Sequence, residues 1–548
     1  MPAQKTSTRI PLAVKLDIES PVAGQLGPER IPGGKDVMYS KYSDGTPYAE
    51  TRPAVVAYEH GPGEPEVGTA SGGARGIFYW ETASTLLIAH RDTVYQGQYG
   101  ATLATIPLGK EPVYWAEFSG HTSTVDAVLV MSNPEGNTLT KFTWNGTSIS
   151  SSDLTPNLPT ELVEEGIVGG VVALDNFLFL MSAAGKIYNS NLGKVDEWDG
   201  LNFLTTERAV DPGVYLAKQQ EHLVAISSSS IEVFYDAANP VGSPLKRRDD
   251  VSFLTGALDH KKVHTNGEKI FFIGSSRLGS FGVYLLERLQ LQQVSYQSLD
   301  AWIQDTLITY KKEFILTSGT LGEHYFLYMT SVTPDDTNHL YKPINTAVYD
   351  LTAQLWVRFK TKITEVEGYD ESFPLMAITE RLGKDAGGQT LLFVDGTLAR
   401  YELEAKGTDV FTTFGPYVTL DGTVDGENEY WDAGYVVSFG GDIIWPINPH
   451  VVTEEWDGGL YTYKFISRLA VVGRARPNLL DSEGNIVVSY SDDTFTTWSH
   501  DRYTPAHNKW MYTRMGKTKR RSFFVGYEGV DHVRFEAIEI GLGGSQWA

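Results

Sequence analysis

Cysteine is absent from all 548 residues. That excludes disulfides, thiolate metal sites and a cysteine nucleophile, and it is compatible with folding in a reducing cytoplasm. Long apolar runs are missing too. No stretch approaches the ~20 residues that a membrane span needs, and the first 30 residues lack the apolar centre of a secretion signal, so neither feature is expected. Basic residues are in short supply, 45 against 68 acidic, giving a formal charge of −23. Such a chain does not grip nucleic acid by neutralising phosphates. It suits the opposite task, since a negative wall repels phosphates and lets a duplex slide.

Catalytic constellations are equally scarce. No G-x-S-x-G elbow occurs, and GSSRLG at 274–279 has the wrong spacing. SGGARG at 71–76 is followed by the strand-like IFYW rather than by the helix a phosphate cradle needs, so it reads as a turn. His260 and His264 would align for zinc on a helix, yet their segment reads as strand and turn, with no HExxH glutamate and no third ligand. Asp421, Asp425, Glu427 and Glu429 do not follow the spacing of a calcium loop and read as a solvated turn. The sequence predicts no catalytic, cofactor-binding or metal-ligating residue. Two basic clusters stand out: Lys246, Arg247 and Arg248, and then Lys517, Lys519, Arg520 and Arg521. These are the candidate contacts to DNA phosphate or to a partner's acidic surface. The competing reading is a solvated strand end paired with local acids such as Asp249 and Asp250.

What the sequence does contain is a repeat. An apolar run, a tight polar or Gly turn and a second run with an aromatic near its end recur seven times, beginning at Leu86, Leu129, Leu178, Leu223, Ile270, Phe326 and Leu391. The starts are 43 to 65 residues apart, close to the roughly 40 to 50 residues that a four-stranded propeller blade consumes. The expected fold is all-β, a β-propeller of six or seven blades over 71–416, with a large array of β-sandwiches as the alternative. One helical insertion is expected near 296–308, where Leu299, Trp302, Ile303 and Leu307 share a face behind a Ser298 cap. Residues 1–70, rich in Pro, Gly and Glu, read as an extended arm. From 417 to 548 the strand pattern changes to that of an additional antiparallel platform or sandwich. Small polar loops at 227–230 and 383–389 are candidates to line a bore.

Two resemblances follow from particular residues. SDDTFTTW at 491–498 resembles the Asp-box of sialidase-type propellers, with Ser491, Asp493, Thr497 and Trp498 in register and Phe495 in place of Gly. In that family the box is a structural hairpin turn outside the active site; a glycan-binding or sialidase-like propeller of a tail fibre is the alternative function. The stronger resemblance is carried by Trp198 with Leu201 and Phe203, Asp211 with Pro212, Glu232 with Phe234, Tyr349 and Asp350 with Trp356, and Trp510, Arg514, Gly516, Arg520 and Arg521 in that order. This succession is similar to that of phage packaged-DNA stabilisation and tail nozzle proteins over roughly residues 85 to 540. The resemblance implies a ring of six copies at the end of a short tail, beneath tail adaptor ring proteins and beside tail fibre or needle proteins. Double-stranded DNA would pass without sequence specificity, and the ring would sit in the virion tail after assembly in the host cytoplasm. It implies no cofactor.

Overall fold

The computed structural model describes residues 7–16, 32–57, 73–97, 101–118, 127–209, 211–239, 241–276, 281–321, 324–337, 339–361, 372–373, 375–380, 389–393, 398–402, 408–412, 442–459, 462–476, 484–529 and 532–542. Among the described residues seven blades follow one another around a ring: the first four are four-stranded sheets, the fifth has five strands, the sixth contributes four strands to a nine-stranded sheet, and the seventh belongs to a six-stranded one. The first six are meanders over 74–105, 114–153, 172–205, 213–253, 255–293 and 313–359. The seventh begins with Leu375–Glu380, Gln389–Phe393 and Leu398–Glu402, and its innermost strand lies against both Ala74–Trp80 of blade one and Glu313–Leu321 of blade six, which closes the circle.

Each of the seven repeats found in the sequence is the central hairpin of one blade. The reason is burial. A central strand is covered on both faces by the neighbouring blades, so it reads as an unbroken apolar run rather than an alternating one. In Ala127–Asn133 every side chain is buried, and parity assigns the faces: Leu129 and Met131 pack with blade one, whereas Val128 and Val130 pack with blade three. Each such fully buried aliphatic side chain contributes about 1.5–3 kcal/mol. Outermost strands, such as Ile149–Asp153 with its ISSSD sequence, are exposed and polar.

A helix spans Gln297–Gln304 between blades five and six and buries Leu299, Trp302 and Ile303 against them. Its cap differs from the sequence reading. Tyr296 occupies the N-cap position without a side-chain bond, and Ser298 lies inside the first turn. No helix among the described residues is long and apolar enough to cross a membrane.

Beyond the ring lie two more packed layers. One contains, in order, Val37–Lys41, Pro47–Thr51, His532–Leu542, Lys464–Arg476 and Met511–Thr518, with Ser7–Pro11 also paired to His532–Leu542. The other contains His450–Val452, Ser522–Glu528, Asn485–Ser491 and Arg502–Pro505, and the short strand Gly33–Lys35 joins it to Leu355–Phe359 of blade six. One apolar core runs from these layers into blades six and seven, through Tyr39, Leu469, Val488, Phe523 and Ile538 to Phe326, Phe359, Phe373 and Phe393. The N-terminal segment read as an arm therefore supplies strands to both layers. It also supplies Ala54–Ala57, which pairs antiparallel with Leu398–Glu402 as the fourth strand of blade seven.

Candidate functional site

The innermost strands bring together, at one end of the ring's axis, side chains from blades that stand on opposite sides of it. Glu111 lies in the connection into blade two, and Asp259, His260 and Lys261 form a tight turn in blade five. Lys261 Nζ reaches Glu111 at 2.7 Å, Asp259 at 3.1 Å and Glu313 of blade six at 3.2 Å. His260 Nε2 lies 3.0 Å from Glu111, while its Nδ1 is 2.9 Å from the hydroxyl of Tyr114 in blade two. The ring of Tyr114 meets that of Tyr215 in blade four edge to face at 5.1 Å. Blade three approaches through Gly169, where an added Cβ would stand 2.5 Å from His260 Cβ and 2.6 Å from the Tyr215 ring, so only glycine fits. Blades two and five are as far apart in sequence around a seven-membered ring as two blades can be. Their direct contact means that the axis is filled at this level.

Burial alone would raise the carboxyls of this cluster. At Glu111, hydrogen bonds from His260 and Lys261 and the charge of Lys261 outweigh it and hold the group at about 2, below its ordinary value of 4.5. At Asp259 the charges of Lys262, Lys261 and His260 do the same and take the carboxyl well below the usual range. Lys261 itself is penalised by burial, but Asp259 and Glu111 raise it well above an ordinary lysine. A carboxylate with a lowered pKa stabilises the fold fully above its unfolded value and ceases to do so as the pH falls through its folded one. The thermal midpoint is therefore expected to decline as the pH drops from 4.5 toward about 2. Glu111→Gln is expected to lower the midpoint at neutral pH and to flatten that decline; parallel profiles for the two proteins would refute the assignment.

Arg75 fixes the adjoining seam between blades one and two. Its buried guanidinium donates to the carbonyls of Glu111 at 2.8 Å, Arg91 at 3.0 Å and Pro107 at 2.9 Å, and to the Asn133 side chain at 2.6 Å and Glu135 at 3.2 Å. Sequence reading treated this stretch as a turn and did not single out Arg75. The one available signal was an arginine at the start of an apolar strand, ARGIFYW.

The basic clusters divide. In the first, Arg247 pairs with buried Glu232 at 2.6 Å and with Glu207 at 3.3 Å. Arg248 holds Asp250 through two bonds of 2.9 and 3.1 Å, and Lys246 is exposed on the outermost strand of blade four. In the second, Arg521 is buried, holds Asp492 through bonds of 2.7 and 2.6 Å and stacks on Tyr490 at 3.7 Å. Lys517, Lys519 and Arg520 instead border a cleft of about 670 Å³ with Tyr463, Glu455, Asp457 and Asp492. The zinc-like pair is split: His260 serves the axial cluster, whereas His264 is half-buried on Val263–Asn266, where desolvation pushes its imidazole down to about 4. Within the small polar loop, Ser227 and Ser230 are buried, and Ser229 and Ser230 bond to Asp211 at 2.8 and 3.2 Å, so these side chains hold a turn rather than face a bore. The run 383–388 and the acidic residues Asp421, Asp425, Glu427 and Glu429 lie outside the described residues.

The Asp-box forms the hairpin turn that the resemblance implies. Asp493 accepts from the Thr497 amide at 2.9 Å and from its hydroxyl at 2.5 Å, and Ser491 donates to Asp493 at 2.8 Å. Phe495 adopts φ 63° at the position where the motif has glycine, a left-handed conformation that costs a side chain energy. Its ring packs beside Trp498 on Val452, Val487 and Phe524, which offsets that strain.

Among solved structures, BamB from Moraxella catarrhalis is similar at 13% identity over 73% of this chain and 98% of its own, with a TM-score of 0.32. The N-terminal domain of Nup159 is similar at 9% identity over 67% of this chain and 97% of its own, with a TM-score of 0.34. No curated protein matches the chain. The family model described as "Bacteriophage P22 Gp10, beta-propeller" matches residues 67–380, more than half of the sequence. The chain therefore belongs to the phage tail nozzle and packaged-DNA stabilisation family, whose members are structural proteins of the phage.

Proposed function

We propose that the chain is one subunit of a ring of six copies at the end of a short phage tail. The ring is assembled in the host cytoplasm, seated below adaptor ring proteins and beside tail fibre or needle proteins. It retains the packaged double-stranded DNA and then conducts it outward without reading its sequence. The observation that carries this reading is the filled axis. With Lys261, Glu111, Glu313 and His260 bonded across the centre, the propeller is a solid wall element, and any passage for DNA runs between copies rather than through one. A formal charge of −23 per copy supports the same role, because an acidic lumen repels phosphates and leaves no adhesive sites to stall a moving duplex. Negative-stain microscopy of the purified chain, alone and with its neighbouring virion proteins, tests the proposal. The expected result is a closed ring whose bore admits a B-form duplex. A monomer that never joins a portal and adaptor complex would contradict it.

A further inference from the structure

The cleft beside Tyr463 is lined by three cations, Lys517, Lys519 and Arg520, and three carboxylates, Glu455, Asp457 and Asp492. Lys517 and Lys519 alternate along the chain and so fall on one side, with their ammonium groups 4.4 and 4.9 Å from the centroid of the Tyr463 ring. Each carboxylate bordering the cleft already serves another donor. Glu455 accepts from the Thr494 hydroxyl at 2.8 Å and lies 3.6 Å from Arg520. Asp457 accepts from the Gly459 amide at 2.7 Å. Asp492 holds Arg521 and accepts from the Thr518 hydroxyl at 2.8 Å. Lys517 and Lys519 consequently make no ion pair among the described residues, in a chain where acids outnumber bases 68 to 45. Apolar surface accompanies them: Tyr463 is 56% exposed, and Phe465, the cross-strand neighbour of Lys517, is 47% exposed.

Charge is also divided unevenly along the chain. Residues 451–548 hold 12 basic and 12 acidic residues, so the whole excess of −23 resides in residues 1–450. We propose that the face formed by Tyr463, Phe465, Lys517 and Lys519 docks on the acidic surface of residues 1–450 of a second copy of this chain. This inference rests on the ring reading above and names the contact that would close it. Copies of equal negative charge repel one another, and screening removes most of that repulsion only beyond about 8 Å at physiological salt. A ring therefore needs local cations where its copies touch. A cationic face cannot oppose itself across a two-fold axis, so the contact is head-to-tail, the type that generates closed rings. Exposed tyrosine and phenylalanine are side chains enriched at the centres of such interfaces.

The test uses the full chain with Tyr463 replaced by a photoreactive benzoylphenylalanine, and separately the double variant Lys517→Glu, Lys519→Glu. Illumination of assembled rings is expected to yield covalent dimers whose linked peptide maps within residues 1–450 of the second copy. The double variant is expected to lower the assembled fraction about tenfold or more while its thermal unfolding matches that of the parent, since both lysines are exposed. Rings that form normally in the double variant, or a crosslink to DNA or to a different tail protein instead of a second copy, overturn the docking assignment and leave the ring reading intact. A parent chain that remains monomeric with all its virion partners overturns both.

Discussion

Lys261→Met is expected to lower the unfolding free energy by about 3–5 kcal/mol, the cost of removing one partner from a buried ionic cluster. The lysine is 7% exposed and is the cation shared by Glu111, Asp259 and Glu313. Methionine fills similar volume, so the loss is not one of packing. It leaves three half-buried carboxylates facing one another, where their repulsion is only partly screened. The denaturant midpoint measures the effect. A double variant, Lys261→Met with Glu111→Gln, removes one of the stranded charges and is expected to regain part of the loss, a non-additivity typical of groups in direct contact. Equal and additive losses would show that the two residues act independently and that the axis is not sealed by their pairing.

The two halves of this architecture were unequally legible. The central hairpins could be read because a strand covered on both faces must be apolar at every position, and seven such runs at blade-like spacing leave few alternatives. The axial cluster could not be read. Glu111, Lys261 and Glu313 are separated by 150 and 52 residues, and in a chain with 68 acidic residues nothing local distinguishes these from surface charges. Only the closing of the ring makes them neighbours. The basic clusters were visible as strings, but a string does not reveal that Arg521 is buried on Asp492 while Lys519, two residues earlier, makes no ion pair among the described residues. The Asp-box turn was legible in detail because all its bonds are local. Ser298 misled as a cap because the helix starts two residues sooner than such a cap implies, at Gln297.

The remaining large effect concerns how the ring is held shut. Ala54–Ala57 pairs with Leu398–Glu402 on one side and with Thr408–Thr412 on the other, so Val55, fully buried, lies in the interior of the seventh sheet. This strand of the last blade leads in sequence directly to Ala74–Trp80 of the first, so it ties the two blades together alongside the packing of their innermost strands. The same segment carries Arg52, whose guanidinium bonds to buried Asp36 at 3.0 Å and to the carbonyl of Lys360 at 2.6 Å, fastening the strand's approach to the end of blade six. Val55→Asp places an unpaired charge in that sheet and is expected to lower the unfolding free energy by at least about 4 kcal/mol. Removal of residues 1–57 is expected to abolish soluble folded protein altogether, because it also strips Gly33–Lys35, Val37–Lys41 and Pro47–Thr51 from the two outer layers. Separating the two causes is straightforward. If closure is the dominant role, Val55→Asp accelerates proteolysis within 375–402 of blade seven and at the first blade's 74–80 strand before it touches blades three and four. Uniform cleavage across all blades, or a truncated chain with the parent's denaturant midpoint, would show that the ring closes by the packing of Ile77, Ile315 and Met376 alone.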